Sequence, residues 1–223
     1  MKIQKSIHVI QTDLKQFGIA KTIYDLAFRS SNLLAYFKIL RCMALDTVDP
    51  SFLKTSARYD CKFLNEDELF ELAKDRESEL PRDFLLEALR NGDQCFGIMD
   101  GDKLASYGWY SNEPTNISDD LRFHFDKRCI YMYRGFTRPG YRGQHLHAIG
   151  MTMALNHYLN SGSKGLVSYV EDNNFASLKS VYRMGYRDFG KIYILGGFRR
   201  YLIHCSPGCE DYGVSVMRHN VAT

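Results

Sequence analysis

The chain has 223 residues, which allows one full domain with an extension or two small ones, with a core large enough to need no staples. With 45% hydrophobic and 25% charged residues, collagen-like and disordered classes are excluded, and a formal charge of +3 is too small to argue for nucleic acid. No run approaches about 18 consecutive apolar residues, so no membrane span is expected. The six cysteines are scattered without a CxxC pair, and the first eight residues carry no apolar signal core. A reducing, cytoplasmic location with free thiols is therefore expected. His204, Cys205 and Cys209 cluster loosely, without four tightly spaced ligands for zinc, so no metal is expected.

Residues 1–55 read as a helical extension. Ile19, Ile23, Leu26 and Ala27, then Leu33, Phe37, Leu40 and Ala44, recur at helical spacing. Ser30-Ser31-Asn32 reads as a break with a fresh N-cap, and Asp49-Pro50-Ser51 ends the block. Lys21, Arg29, Lys38 and Arg41 form its polar face. The apolar stripe is expected to be covered by the main domain or by a second copy of the chain in a homodimer, rather than to lie on a membrane.

From Tyr59 the texture changes. A strand is expected over 59–63 and a short helix over 66–73. A helix over 81–90 opens on Pro81 and stops at Asn91-Gly92. Strands over 94–99 and 104–110 form a hairpin across Asp100-Gly101-Asp102. Residues 112–120 read as a polar loop and 128–137 as a strand. A helix over 142–160 carries Leu146, Ile149 and Met153 on one stripe. A strand over 166–170 and a helix over 174–184, stopped by Gly185, follow. Strands over 191–195 and 199–205 close a domain spanning 56–205, and 206–223 reads as a tail.

Two segments carry chemistry. Arg138-Pro139-Gly140-Tyr141-Arg142-Gly143-Gln144-His145 joins a strand to the start of a long helix. Glycine lets the backbone approach a ligand, and the free N–H groups of a helix start, with the helix dipole behind them, favour phosphate. Arg138 and Arg142 add positive charge there. The second segment, Val170-Glu171-Asp172-Asn173-Asn174-Phe175-Ala176-Ser177, ends in Met184-Gly185-Tyr186. Asn174 reads either as a helix cap or as an amide that bonds an amide-bearing ligand.

In this order the two segments resemble the GNAT superfamily of acyl-CoA-dependent N-acyltransferases. The family pattern is a strand, a Val-x-Pro-x-x-Arg-Gly-x-Gly-Ile-Gly loop and a helix, then a strand, Asn-x-x-Ser, a helix and Leu-Gly-Phe. Here the counterparts are Thr137 through His147, then Asn174 through Ser177 and Met184-Gly185-Tyr186. The resemblance covers about 57–205. It implies an α/β (α+β) fold, a mixed twisted sheet flanked by helices. Two parallel strands, 128–137 and 166–170, would splay around the pantetheine arm of acetyl-CoA or another acyl-CoA.

By the same likeness, the backbone of Phe136 and Thr137 pairs with pantetheine. Arg142, Gly143, Gln144, His145, Leu146 and His147 hold the pyrophosphate, and Asn174 contacts the cofactor arm. His145 and His147 replace small residues, and Gly140 stands where Gln or Arg is usual. The family's helix tyrosine, which protonates the leaving thiolate, falls on Val181, with Tyr182 one residue further. The family's strand carboxylate falls on Tyr131. Tyr131 and Tyr133 share a face by strand alternation and are the candidate catalytic groups, while Glu171 is the nearest carboxylate.

The reaction implied is transfer of an acetyl or other acyl group to a primary amine of a small molecule or a protein. The rival readings are an acyl carrier protein or aminoacyl donor on the same scaffold, and a catalytically silent CoA-binding module.

Overall fold

The computed structural model describes residues 14–197 and 200–219. The segment 1–8, read above as lacking a signal core, lies outside them. Helix α1 (Ile19–Leu34) is followed by strand β1 (Tyr36–Leu45), then β2 (Tyr59–Leu64) and the helices α2 (Glu66–Leu72) and α3 (Arg82–Arg90). Next come β3 (Gln94–Asp100), β4 (Lys103–Ser111), β5 (Thr115–Ser118), β6 (Leu121–His124) and β7 (Cys129–Thr137). Helix α4 (Leu146–Asn160), β8 (Gly165–Glu171), α5 (Phe175–Arg183), β9 (Arg187–Gly197), β10 (Arg200–Cys205) and β11 (Ser215–Arg218) complete the chain.

Eight strands form one sheet in the order β10-β9-β1-β8-β7-β4-β3-β2, and β11-β6-β5 form a second. Among the described strands, only β7 and β8 pair in parallel. Helix α4 fills one face of the large sheet. Its Ala148, Met151, Ala154 and Leu155 pack with Met43, Leu45, Ile130, Met132 and Leu166. Helices α2 and α3 and the small sheet cover the other face, over Leu40, Cys42, Tyr131, Val167 and Trp109.

Several expectations are corrected here. Residues 36–45 are not a second helix. They are a strand inside the main sheet, bonded to β8 on one side and β9 on the other. The extension expected over 1–55 is thus helical, among the described residues, at 14–17, in α1 and in a 3₁₀ turn at Pro50–Leu53, and the unit expected to begin at 56 draws one of its inner strands from before that point. The physical reason is burial on both faces. Leu40 and Cys42 enter one core while Met43 and Leu45 enter the other, so the run is apolar without alternation, and periodicity cannot tell it from a buried helix. The polar loop over 112–120 and the tail from 206 are also not unstructured. They supply β5 and β11, which pair with β6.

Helix α1 lies across the C-terminal end of β8. Phe28 turns inward, 5.2 Å from the Phe37 ring, while Ile19, Ile23 and Leu26 face outward, so the main domain does not cover that stripe. Three hydrogen bonds hold the helix: the Tyr24 hydroxyl donates to Asp172 Oδ2 (2.9 Å), Asn173 Nδ2 donates to Asp25 Oδ1 (2.8 Å) and Phe37 N–H donates to Asn32 Oδ1 (3.0 Å). Asp172 also receives Arg41 Nε at 2.8 Å and lies 3.2 Å from Lys191 Nζ. Burial pulls the Asp172 carboxyl up, but the bonds from Arg41, Tyr24 and Lys191 outweigh it and hold it below the usual range. Its contribution to stability is therefore present above the ordinary carboxylate pKa and is lost as pH falls through the lowered one. Asp172→Ala leaves two cations facing each other and should cost about 2–3 kcal/mol, below the figure for a fully buried pair. Urea unfolding and faster amide exchange in α1 would show it; unchanged exchange there would mean α1 is held by its rings alone.

Candidate active site

The parallel ladder between β7 and β8 is short. It runs Cys129↔Gly165, Ile130↔Leu166 and Tyr131↔Val167 and then stops, although β7 continues to Thr137 and β8 to Glu171. The cause lies on the other edge of β7. Trp109 pairs with Arg134 and Tyr110 with Met132, so Tyr133 is skipped. Such a bulge bends its strand and sharpens the twist. Ser168 Oγ donates to Met132 O (2.8 Å) at the base of the opening. Beyond it, the β7 edge from Tyr133 through Phe136 to Thr137 has no strand partner on the β8 side.

The open edge leads to the start of α4. After a 3₁₀ turn at Pro139–Tyr141, Gly143 adopts φ +84° and His145 φ +58°. Neither angle suits a β-branched side chain. No side chain caps α4, and its first helical bond is Ile149 N–H to His145 O (3.0 Å). The N–H groups of Leu146, His147 and Ala148 thus have no helical acceptor. Arg142, Gly143, Gln144 and His145 are exposed around them. Gln144 Oε1 accepts from the Tyr59 hydroxyl (2.6 Å), which fixes one side of the loop.

Arg138 does not add its charge to this loop. It is buried, donating to Leu104 O (3.1 Å), Glu77 (2.8 Å) and Asp75 (2.7 Å), so it ties β4 to the turn before α3. His147 turns inward onto Gly135, where a Cβ would stand 2.2 Å from its Cε1. Loss of hydration lowers its pKa to about 4, although part of the residue still meets solvent. The ring is neutral at pH 7 and brings no charge to a phosphate.

Asn174 caps α5: its Oδ1 accepts from Ser177 N–H (3.1 Å). It also lines a cavity of about 390 Å³ with Lys21 and Asp25 of α1. Val181 packs inward against the core around Met132 and Leu178. Tyr182 points away and donates to Asp188 (2.8 Å) while accepting from Arg41 Nη1 (3.0 Å). Glu171 pairs with Lys38.

Tyr131 and Tyr133 share a face, stacked at 5.6 Å. Only Tyr133 reaches open space. Tyr131 is 3% exposed between Tyr133, Tyr169 and Phe123, and burial pushes its phenol far above its ordinary pKa. Tyr133 lines a cleft of about 610 Å³ with Phe84, Glu87, Asp93, Arg122 and Arg134. The bulge breaks the alternation, so Arg134 follows Tyr133 onto the same wall, its guanidinium 4.2 Å from the Phe84 ring centre, and Gly135 takes the opposite face. Phe136 returns to the cleft side, 5.4 Å from Tyr107.

The Tyr133 hydroxyl donates to Asp93 Oδ2 at 2.8 Å. Asp93 was not legible as a site residue. It follows the Gly92 that stops α3, as an ordinary turn carboxylate would, and only the pairing of β3, β4 and β7 brings it to Tyr133. Among the described residues, no group of three or more His, Cys, Asp or Glu converges as a metal site would. No described helix is long and apolar enough to cross a membrane.

Comparison with known proteins bears on the fold and the family. A search of curated proteins finds no match. Among solved structures, a GCN5-related N-acetyltransferase-like protein from Streptococcus suis 89/1591 superposes with TM-score 0.51 at 14% identity, over 78% of this chain and 66% of that one. An acetyltransferase of the GNAT family from Colwellia psychrerythraea gives 0.51 at 16% identity, over 77% and 61%. The chain thus spans less than two thirds of the length of each. An aminoglycoside N-acetyltransferase, AAC(6')-Iy, solved with CoA, gives 0.45 at 16% identity, over 60% and 90%. These likenesses concern the fold. A family model described as the acetyltransferase (GNAT) family matches residues 60–186, more than half of the 223, and the chain therefore belongs to the GNAT acetyltransferase family.

Proposed function

We propose that the chain transfers an acyl group, acetyl in the first instance, from acyl-CoA to a primary amine by direct attack. The observation that carries this reading is the unpartnered β7 edge leading to the uncapped start of α4. Extended pantetheine adds to such an edge as a strand would, through the backbone of Phe136 and Thr137. The pyrophosphate then meets the N–H groups at Leu146 and His147, with Gly143, Gln144 and His145 shaping the turn and Arg142 supplying charge. The side-chain amide nitrogen of Asn174, left over from capping, faces the arm. The amine enters by the cleft on the opposite face, where Tyr133 stands, with Tyr131 fixing its ring from behind. Six free thiols support a reducing, cytoplasmic setting.

Free CoA should raise the melting temperature, as any ligand of the native state does, and a thiol-release assay with acetyl-CoA and a broad amine panel should give turnover. Stabilisation without turnover would favour a silent CoA-binding module; no stabilisation would favour a carrier-protein donor. Tyr182→Phe should keep turnover within about threefold, because its hydroxyl is held by Asp188 and Arg41, far less than the ~100-fold expected for a lost general acid.

A further inference from the structure

We propose that Asp93 receives, through Tyr133, the proton that the attacking amine loses, which makes the buried Asp93–Tyr133 pair the base of this site. The inference rests on the acyl-transfer reading above. Asp93 is 7% exposed at the junction of α3 and β3. Both its oxygens accept: Oδ1 takes Asn91 Nδ2 at 2.8 Å and Oδ2 takes the Tyr133 hydroxyl at 2.8 Å. Donors on both oxygens suit a carboxylate. The phenol proton of Tyr133 is thereby directed at Asp93, which leaves the lone pairs of the phenol oxygen for an N–H donor in the cleft.

The pair is also held in place. Tyr133 is the residue the β4–β7 register skips, and its ring sits between Tyr131 at 5.6 Å and Phe84 at 6.3 Å. Asn91 is fixed in turn by Ser111 Oγ at 3.1 Å. The other carboxylates lining the cleft, Glu87 and Asp119, are exposed at its mouth, and Glu87 already accepts from Asn116. Asp93 is the one buried carboxylate among the described residues of this cleft.

The protons balance as follows. The amine enters neutral, its first proton left in solvent. As its nitrogen bonds to the thioester carbonyl carbon, one N–H proton passes to the Tyr133 oxygen while the phenol proton passes to Asp93 Oδ2. The C–S bond breaks with its electron pair on sulfur, and the thiolate takes a proton from solvent. Asp93 ends as a neutral carboxyl and returns its proton to solvent after the products leave. Tyr133 touches the substrate; Asp93 is its positioning partner and holds the proton.

Burial makes Asp93 a stronger base than an ordinary carboxylate, and Glu87 on α3 adds to this, against the bonds from Ser111, Tyr133 and Asn91. The other titratable groups facing the pair are Tyr131 on β7, Cys95 on β3 and Tyr158 on α4, all pushed up by burial, Arg134 on β7, which acts on Tyr133 in the opposite sense, and the cleft-lining Arg90 and Arg122. None of these is expected to change charge as the pH is lowered from 7.

The test compares wild type, Asp93→Asn, Tyr133→Phe and the double variant with the best amine of the panel. CoA affinity by calorimetry should be unchanged in all four. Turnover should fall about 100-fold or more in each single variant, and the double variant should be no worse than the worse single, because the two act as a unit. The acid limb of the kcat profile should vanish in Asp93→Asn, which a merely structural role would not produce. Asp93→Asn turnover within about threefold of wild type, or an acid limb that persists, overturns the proposal. If Asp93→Asn does not fold, Tyr133→Phe decides alone: it lacks one hydroxyl, and full activity overturns the relay. Wild type that binds CoA but turns over no amine overturns the acyl-transfer reading and this proposal with it. Active wild type beside undiminished Asp93→Asn overturns only the role of the pair.

Discussion

Gly143→Val should weaken CoA binding by at least about tenfold in a protein that still folds, a loss of about 1.4 kcal/mol or more. The residue holds φ +84°, and nothing lies within 4 Å of where a Cβ would be. The substitution therefore introduces no clash and acts only on the backbone. Forcing a β-branched residue into the left-handed region costs about 1–3 kcal/mol. The loop either keeps its shape at that cost or moves and takes the N–H groups at 144–148 off their aim. Thermal melts separate the two, since the first costs stability and the second costs affinity. Calorimetry showing wild-type affinity in a folded variant whose melting temperature is unchanged, so that the loop has moved, would remove this loop from the cofactor site.

Trp109→Ala should cost about 3–5 kcal/mol, a large part of the 5–15 kcal/mol such a domain commands. Trp109 is fully buried on β4 and meets Phe84 edge-on at 5.1 Å, and Phe84 in turn walls the cleft beside Tyr133. Truncation removes the support beneath that wall, so stability and cleft shape should go together. The indole N–H has no hydrogen-bond partner, so Trp109→Phe removes an orphaned donor along with some volume and should cost clearly less. Trp109 is the only tryptophan, so far-UV circular dichroism in urea is the suitable measurement. Equal losses for Ala and Phe would show that the indole itself, rather than ring volume, holds this wall.

Much of the backbone that frames the candidate site was legible because it is local. A glycine turn, an uncapped helix start and an Asn cap each lie within a few residues of one another, and the structure forms all three at Gly143, Leu146 and Asn174. The displacement of Tyr182 was legible for the same reason, since one helical step separates it from Val181. What was not legible depends on pairing across distance. Strict alternation placed Tyr131 and Tyr133 on one face, but the bulge that sends Arg134 after them is a property of β4 and β7 together. Asp93 meets Tyr133 only once β3, β4 and β7 are side by side. Arg138 looks like a phosphate ligand in sequence because its partners, Asp75 and Glu77, are distant. The small sheet was the exception. Leu121-Arg122-Phe123-His124 does alternate, with Leu121 and Phe123 fully buried, so its pattern marks a strand, although none was expected there from the sequence.

The place of β1 bears on how the chain is made. Its neighbours in the sheet are β8 and β9, and the Arg41–Asp172 contact closes a separation of 131 residues. On a ribosome, β1 emerges before β2 to β10 and waits for most of the chain before both its partners exist. Until then it is an apolar segment with two unpaired edges, the kind of species that aggregates and that slows folding through non-local closure. Residues 60–186 alone, the stretch that carries the family signature, would leave β8 with a bare edge where β1 belongs. That stretch also lacks β9, β10 and β11, so the cleaner test removes 14–59 alone: the remaining chain should be insoluble, and adding 14–59 in trans during refolding should restore solubility by filling the slot.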